Sequence, residues 1–117
     1  MPVLKPVVVL ITAPDEEAAA RIARALVEES LAACVNIVRG VRSVYSWHGK
    51  INDEAECLLV VKTDNALWEG LCRKVKEMHS YQVPEVIALP IIEGLPEYIS
   101  WLEDATKGRE RKSKSKT

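Results

Sequence analysis

Cys34-Val35-Asn36-Ile37-Val38-Arg39-Gly40-Val41-Arg42-Ser43-Val44-Tyr45-Ser46-Trp47-His48-Gly49-Lys50 is the stretch on which the fold turns. Its first five residues read as strand, rich in the β-branched side chains that suit a pleated surface. Gly40 marks a bend or bulge, because a glycine inside a strand pattern has no side chain to pack. Beyond it Val41, Ser43, Tyr45 and Trp47 share one face, and Arg42, Val44, Ser46 and His48 the other. This predicts a long, bent strand with aromatic side chains near its end. A polar, glycine-containing connection over 48–53 leads to a second run, 54–62, centred on Cys57-Leu58-Leu59-Val60-Val61. Two strands joined by a short turn predict a hairpin.

Upstream, Val7-Val8-Val9-Leu10-Ile11 is a short, wholly apolar run of the kind found in central buried strands. Thr12 and Asp15 stand at capping-box spacing, Pro14 suits a first helical turn, and Asp15, Glu16 and Glu17 favour the positive end of a helix dipole. Ala19, Ile22, Ala23, Leu26, Val27 and Leu31 then recur at three- and four-residue steps as one apolar stripe. Downstream, Asp64 or Asn65 caps a second helix whose buried face is Leu67, Leu71, Val75 and Met78. Pro84 forces extended backbone before it. A fourth strand follows over 85–92, with Pro90 demoting its far end to an edge or bulge. Gly94-Leu95-Pro96 opens a last helix running to Asp104, with Tyr98, Ile99, Trp101 and Leu102 available for packing.

The order β-α-β-β-α-β plus a terminal helix is that of an α+β, ferredoxin-like sandwich, two helices covering one face of an antiparallel sheet. The opposite face and the unpaired edges are left over. Oligomerisation removes that liability, and a second strand longer than one domain requires points the same way.

Composition agrees with one soluble domain. The chain has 117 residues, 48% hydrophobic and 28% charged, with aromatics at only 5% and no Phe, so Val, Ile, Leu and Ala must fill the core. The longest apolar runs are five residues, far short of the ~20 of a spanning helix. The start lacks the apolar stretch of a signal peptide and reads as mature, cytoplasmic protein. Three cysteines (Cys34, Cys57, Cys72) without C-x-x-C spacing argue against a disulfide framework or a zinc ribbon. Net charge is −1, unevenly placed. Residues 1–106 form the domain and are acidic; residues 107–117 carry six basic side chains and one acid, a tail expected to be disordered and solvated. With no matching basic face in the domain, nucleic acid is not an expected partner.

No G-x-S-x-G, H-E-x-x-H, P-loop or G-x-G-x-x-G occurs. Ser80 follows His79, but sequence neighbours on a loop do not make a nucleophile–base pair, so no enzyme activity is expected. Metal chemistry would have to draw on His48, His79 and the three cysteines. Cys57 and Cys34 read as core fillers and Cys72 as partly buried, His48 as solvated beside a turn. His79 ends a helix, where either a favourable dipole contact or a metal-ligand role fits. Tyr45, Trp47, Tyr81, Tyr98 and Trp101 gather at element ends, where they either cap the rim of the core or meet another subunit.

Leu31-Ala32-Ala33-Cys34-Val35-Asn36, Ser43-Val44-Tyr45-Ser46-Trp47-His48-Gly49-Lys50-Ile51, Glu56, Leu59 and Val61-Lys62-Thr63 together resemble the CutA divalent-cation tolerance family. His79-Ser80-Tyr81, Val83-Pro84-Glu85-Val86-Ile87-Ala88-Leu89-Pro90, Gly94, Tyr98, Trp101 and Leu102 continue the resemblance, which covers residues 7–102. It implies a ferredoxin-like subunit in a stable homotrimer, built like the PII signalling proteins, with a link to copper and other divalent ions. Cys34 matches the family's Ala-Ala-Cys-Val cysteine, and His79 and Tyr81 its His-x-Tyr motif, with Ser80 replacing the usual Pro. Where some members place a further cysteine and histidine, this chain has Ile11 and Met78, so only His79 of that ligand set is kept.

The leading expectation is a non-enzymatic, cytoplasmic homotrimer that binds Cu(II) or another divalent metal ion, with His79 as the metal residue. Neighbouring subunits are expected to meet through the hairpin strands at Tyr45 and Trp47. The alternative is a PII-like regulator that senses a small ligand in inter-subunit clefts and acts on a protein partner. An acidic cleft favours metal and a basic one an anion, which makes Arg39, Arg42 and Lys62 the residues to inspect.

Overall fold

The computed structural model describes residues 5–107. Its elements are β1 (Pro6–Ala13), α1 (Glu16–Glu28), β2 (Cys34–Trp47), β3 (Lys50–Asp64), a 3₁₀ turn (Asn65–Leu67), α2 (Trp68–Met78), β4 (Val86–Pro90) and α3 (Pro96–Thr106). One four-stranded sheet runs in the order β2-β3-β1-β4, with every neighbouring pair antiparallel. This is the expected α+β, ferredoxin-like arrangement.

β1 is central because all its residues but Thr12 are apolar. Val7, Val9, Ile11 and Ala13 point to one face and meet Cys57, Leu59 and Val61 of β3, together with Ala19, Ile22, Ala23 and Leu26 of α1 and Leu71 and Val75 of α2. Both helices cover that face. α3 contacts β3 and β1 and buries Leu102 outside this cluster, which puts it on the second face. Tyr98 and Trp101, offered by the sequence as packing residues, remain about half exposed and stack on each other at 5.5 Å.

Several boundaries differ from the sequence reading, each for a local reason. The cap of α1 is Asp15 itself, whose carboxylate accepts from the Ala18 N–H at 2.8 Å, so Thr12 stays in β1 and Pro14 lies outside the helix. α1 ends at Glu28, Leu31 lies beyond it, and Val27 faces solvent. The fourth strand spans only Val86–Pro90; beyond it the Ile91 N–H still donates to the Pro6 carbonyl at 3.1 Å, where β1 itself begins and no further partner is left.

The largest difference is in the hairpin. The anticipated connection over 48–53 is only two residues, His48 and Gly49, both at positive φ (51° and 77°), the combination of a tight I′ turn. Lys50 through Asp53 are strand, so the hairpin is longer than expected. Gly40 does sit at a bulge: pairing jumps from Val38↔Leu58 to Val41↔Glu56, leaving Arg39 and Gly40 opposite Cys57. β3 pairs with β1 only from Cys57 onward, so residues 41–56 project as a two-stranded arm with one edge of β3 open. That arm accounts for a long dimension of 54 Å against 30 and 26 Å across.

Candidate functional site

Where the arm leaves the sheet, the segment 79–85 between α2 and β4 folds back beneath it. The segment is held by His79. This residue terminates α2 with its N–H on the Val75 carbonyl (2.8 Å), and its ring is buried. Nδ1 accepts the Tyr81 N–H at 3.1 Å, which leaves Nε2 as the protonated nitrogen, donating to the Thr12 carbonyl at 2.7 Å. The tautomer is thus set by its partners, and the neutral ring ties α2, the end of β1 and the loop together. The Tyr81 ring lies 4.6 Å from the imidazole. Its hydroxyl reaches across to β3 and donates to Glu56 Oε2 at 2.5 Å.

Antiparallel register places Glu56, Glu54 and Asn52 opposite Val41, Ser43 and Tyr45 on one face of the arm. Tyr45 donates its hydroxyl to Glu54 Oε1 at 2.7 Å. Two tyrosine–glutamate pairs therefore stand side by side, and both phenols are pushed above their ordinary range. For Tyr81 burial is the main cause, followed by the bond to Glu56; for Tyr45 the bond to Glu54 leads.

Between arm and loop lies a groove of about 570 Å³ lined by Thr12, Ser43, Val44, Tyr45, Trp47, Glu56, Tyr81, Gln82, Val83 and Glu85. Its only charged lining residues are acids. Arg42 forks onto Asp53 at 2.7 and 2.8 Å, Arg39 pairs with Glu16, and Lys62 bonds Asn36 Oδ1; none of the three lines it.

The structure brings Tyr45 and Trp47 into this groove and sets His79 behind it, two residues before Tyr81. It does not gather the cysteines. Cys57 is in the core, Cys34 begins β2 with its Sγ 3.9 Å from Asn36 Oδ1, and burial raises the Cys72 thiol on α2. Ile11 is buried in the core, Met78 is half-buried, and His48 is exposed at the turn. Among the described residues, no three His, Cys, Asp or Glu side chains converge to hold a metal ion. Sequence reading missed Glu54 and Glu56 as partners of the tyrosines. The signal was their alternation opposite Ser43 and Val41, legible only once the two-residue turn fixes the register.

The CutA1 divalent ion tolerance protein model matches residues 7–105. The chain belongs to the CutA1 family. The curated CutA divalent-cation tolerance protein of Thermus thermophilus is 54% identical over 99 residues, covering 85% of this chain and 96% of that one. The chloroplastic CutA of Arabidopsis thaliana is 48% identical over 101 residues, which are 86% of this chain but 56% of the plant protein. Among solved structures, CutA1 from Thermus thermophilus superposes with a TM-score of 0.82 at 55% identity, over 83% of this chain and 94% of that one. CutA1 from Oryza sativa gives 0.84 at 48% identity, over 86% and 93%. The CutA1 match spans every strand and all three helices, so the groove and its arm are parts of the family fold. CutA proteins are named for tolerance of divalent ions, not for a reaction.

Proposed function

We propose that this chain acts as a non-enzymatic homotrimer that binds a divalent metal ion, Cu(II) among them, at the cleft between arm and loop. The acidic lining of that cleft carries the reading. Glu56 and Glu85 face it and no basic side chain does, which favours a cation over a nucleotide or another anion. His79 is the metal residue on this chain. Both its nitrogens are engaged, so it offers a lone pair only by releasing the Tyr81 N–H, and metal uptake moves the loop. Further ligands come from neighbouring copies, which meet through the open edge of β3 and the exposed Tyr45 and Trp47. The free thiols suit a reducing compartment, in line with a cytoplasmic place. No described helix is long and apolar enough to cross a membrane.

Native mass spectrometry with added Cu(II) tests this. A trimer taking up stoichiometric copper, with uptake lost in His79→Ala and in His79→Gln, is the expected result. The Gln variant keeps a donor for the Thr12 carbonyl and separates ligation from loop collapse. Uptake unchanged in both variants, or no uptake by the wild type, overturns the metal reading.

A further inference from the structure

The charge of this chain is divided between two bodies. Residues 1–106 hold 10 basic and 16 acidic side chains, a net of −6, whereas the run from Lys107 to Thr117 carries +5. In that run Lys107, Arg109, Arg111, Lys112, Lys114 and Lys116 stand against a single acid, Glu110. The family match ends at residue 105, so the run is no part of the shared fold. It continues from α3 through Lys107, which is exposed, while copies of the chain are proposed to meet through the arm. The residues past Lys107 lie outside the described ones, and their charge is fixed by the sequence.

The partner follows from what the run contains and lacks. It has no apolar side chain to enter a lipid surface, and lasting membrane attachment needs a second, apolar signal beside a basic one. It has no aromatic ring to stack on a base. A linear polyanion requires neither. Fully extended, residues 107–116 reach at most about 35 Å. Over that length one strand of a duplex presents about nine or ten phosphates, enough for all six cations. The acidic domain repels the same polymer, and Glu103 and Asp104 of α3 stand just before the run. Contact is therefore confined to the run and firmest at Lys112, Lys114 and Lys116, which have no acid among them.

We propose that residues 107–117 bind nucleic acid through its phosphates, without sequence preference. The absence of a basic face argues against nucleic acid on the domain; the tail is a separate surface. This does not rest on the metal reading, since neither His79 nor the groove supplies a contact.

The probe is a fluorescein-labelled DNA duplex of about 20 base pairs, titrated by anisotropy with the full chain at about 50 mM salt. Saturable binding is expected, its logarithm falling against log salt with a slope of about −5 for six phosphate contacts, and steeper where several tails of one assembly engage. A duplex of unrelated sequence should bind within about twofold. Lys112→Gln, Lys114→Gln and Lys116→Gln combined weaken binding about a hundredfold or more. Arg73→Gln with Lys76→Gln, both exposed on α2, leaves it within about twofold. No saturable binding, a salt slope near zero, or unchanged affinity in the triple variant overturns the proposal. Half-saturation at lower phosphate concentration with phosphatidylserine vesicles than with the duplex also overturns it, in favour of a lipid surface. Duplex binding by a chain that takes up no copper leaves this proposal standing and removes the metal reading.

Discussion

Tyr81 ties three elements together through separate atoms: its N–H sets the His79 tautomer, its ring lies against the imidazole and its hydroxyl closes on Glu56. Tyr81→Phe keeps the ring and removes only the hydroxyl, leaving Glu56 buried with no partner. Urea unfolding should register a loss of about 1–3 kcal/mol, the range for a buried acceptor stripped of its donor. The same bond has a pH signature. The phenol's folded value lies above its unfolded value of about 10, so its contribution is complete below about pH 10 and is lost as pH climbs through the folded value. Absorbance titration of tyrosinate should find Tyr81 ionising after the other tyrosines, and in Glu56→Gln it should ionise earlier. At the opposite end of the scale the Arg42 guanidinium holds the Asp53 carboxyl below its usual range, but that pair is exposed and adds little.

The hairpin shows how far a strand pattern can be read. Alternation from Val41 to Trp47 gave the correct faces, and the apolar run at 57–61 gave the correct core strand, because both depend only on which side chains leave water. Lys50 through Asp53 failed that reading: with one face open and the other partly so, a projecting strand needs no apolar residues and looks like a loop. What marks it as strand is the turn. His48-Gly49 supplies positive φ at both central positions, and at Gly49 an added Cβ would meet nothing within 4 Å. Gly49→Val should therefore cost about 1 kcal/mol or more through backbone strain alone, with Gly49→Asn milder, both read as shifts in thermal midpoint. The helix caps tell a similar story at smaller scale. Its charge places Asp15 among the first-turn acids, whereas the extended φ of −156° and the Ala18 N–H on its carboxylate identify it as the cap. The groove was less legible than the fold, because Tyr45, Glu56 and Tyr81 meet across distances the sequence does not encode locally.

For the molecule as a whole, the open edge of β3 and the exposed Trp47 are the surfaces that the proposed homotrimer would cover. Three chains of 13.0 kDa give about 39 kDa by sedimentation, and Trp47→Asp should shift mass towards smaller species while leaving the single-chain core intact. Removing residues 107–117, nearly all outside the described region, should leave both assembly and copper uptake unchanged. The order of the strands has another consequence, one that concerns synthesis. β1 is the first strand made and sits in the interior of the sheet, yet its outer neighbour is β4, and Val7 waits for Pro90. At roughly 5–20 residues per second, the 73 residues from Ala13 to Val86 take a ribosome on the order of 4–15 s. For that interval a nascent chain presents Val7-Val8-Val9-Leu10-Ile11 with one flank unoccupied, beside other nascent chains bearing the same segment. Prompt closure of β4 is thus what separates productive synthesis from mispairing on a crowded polysome.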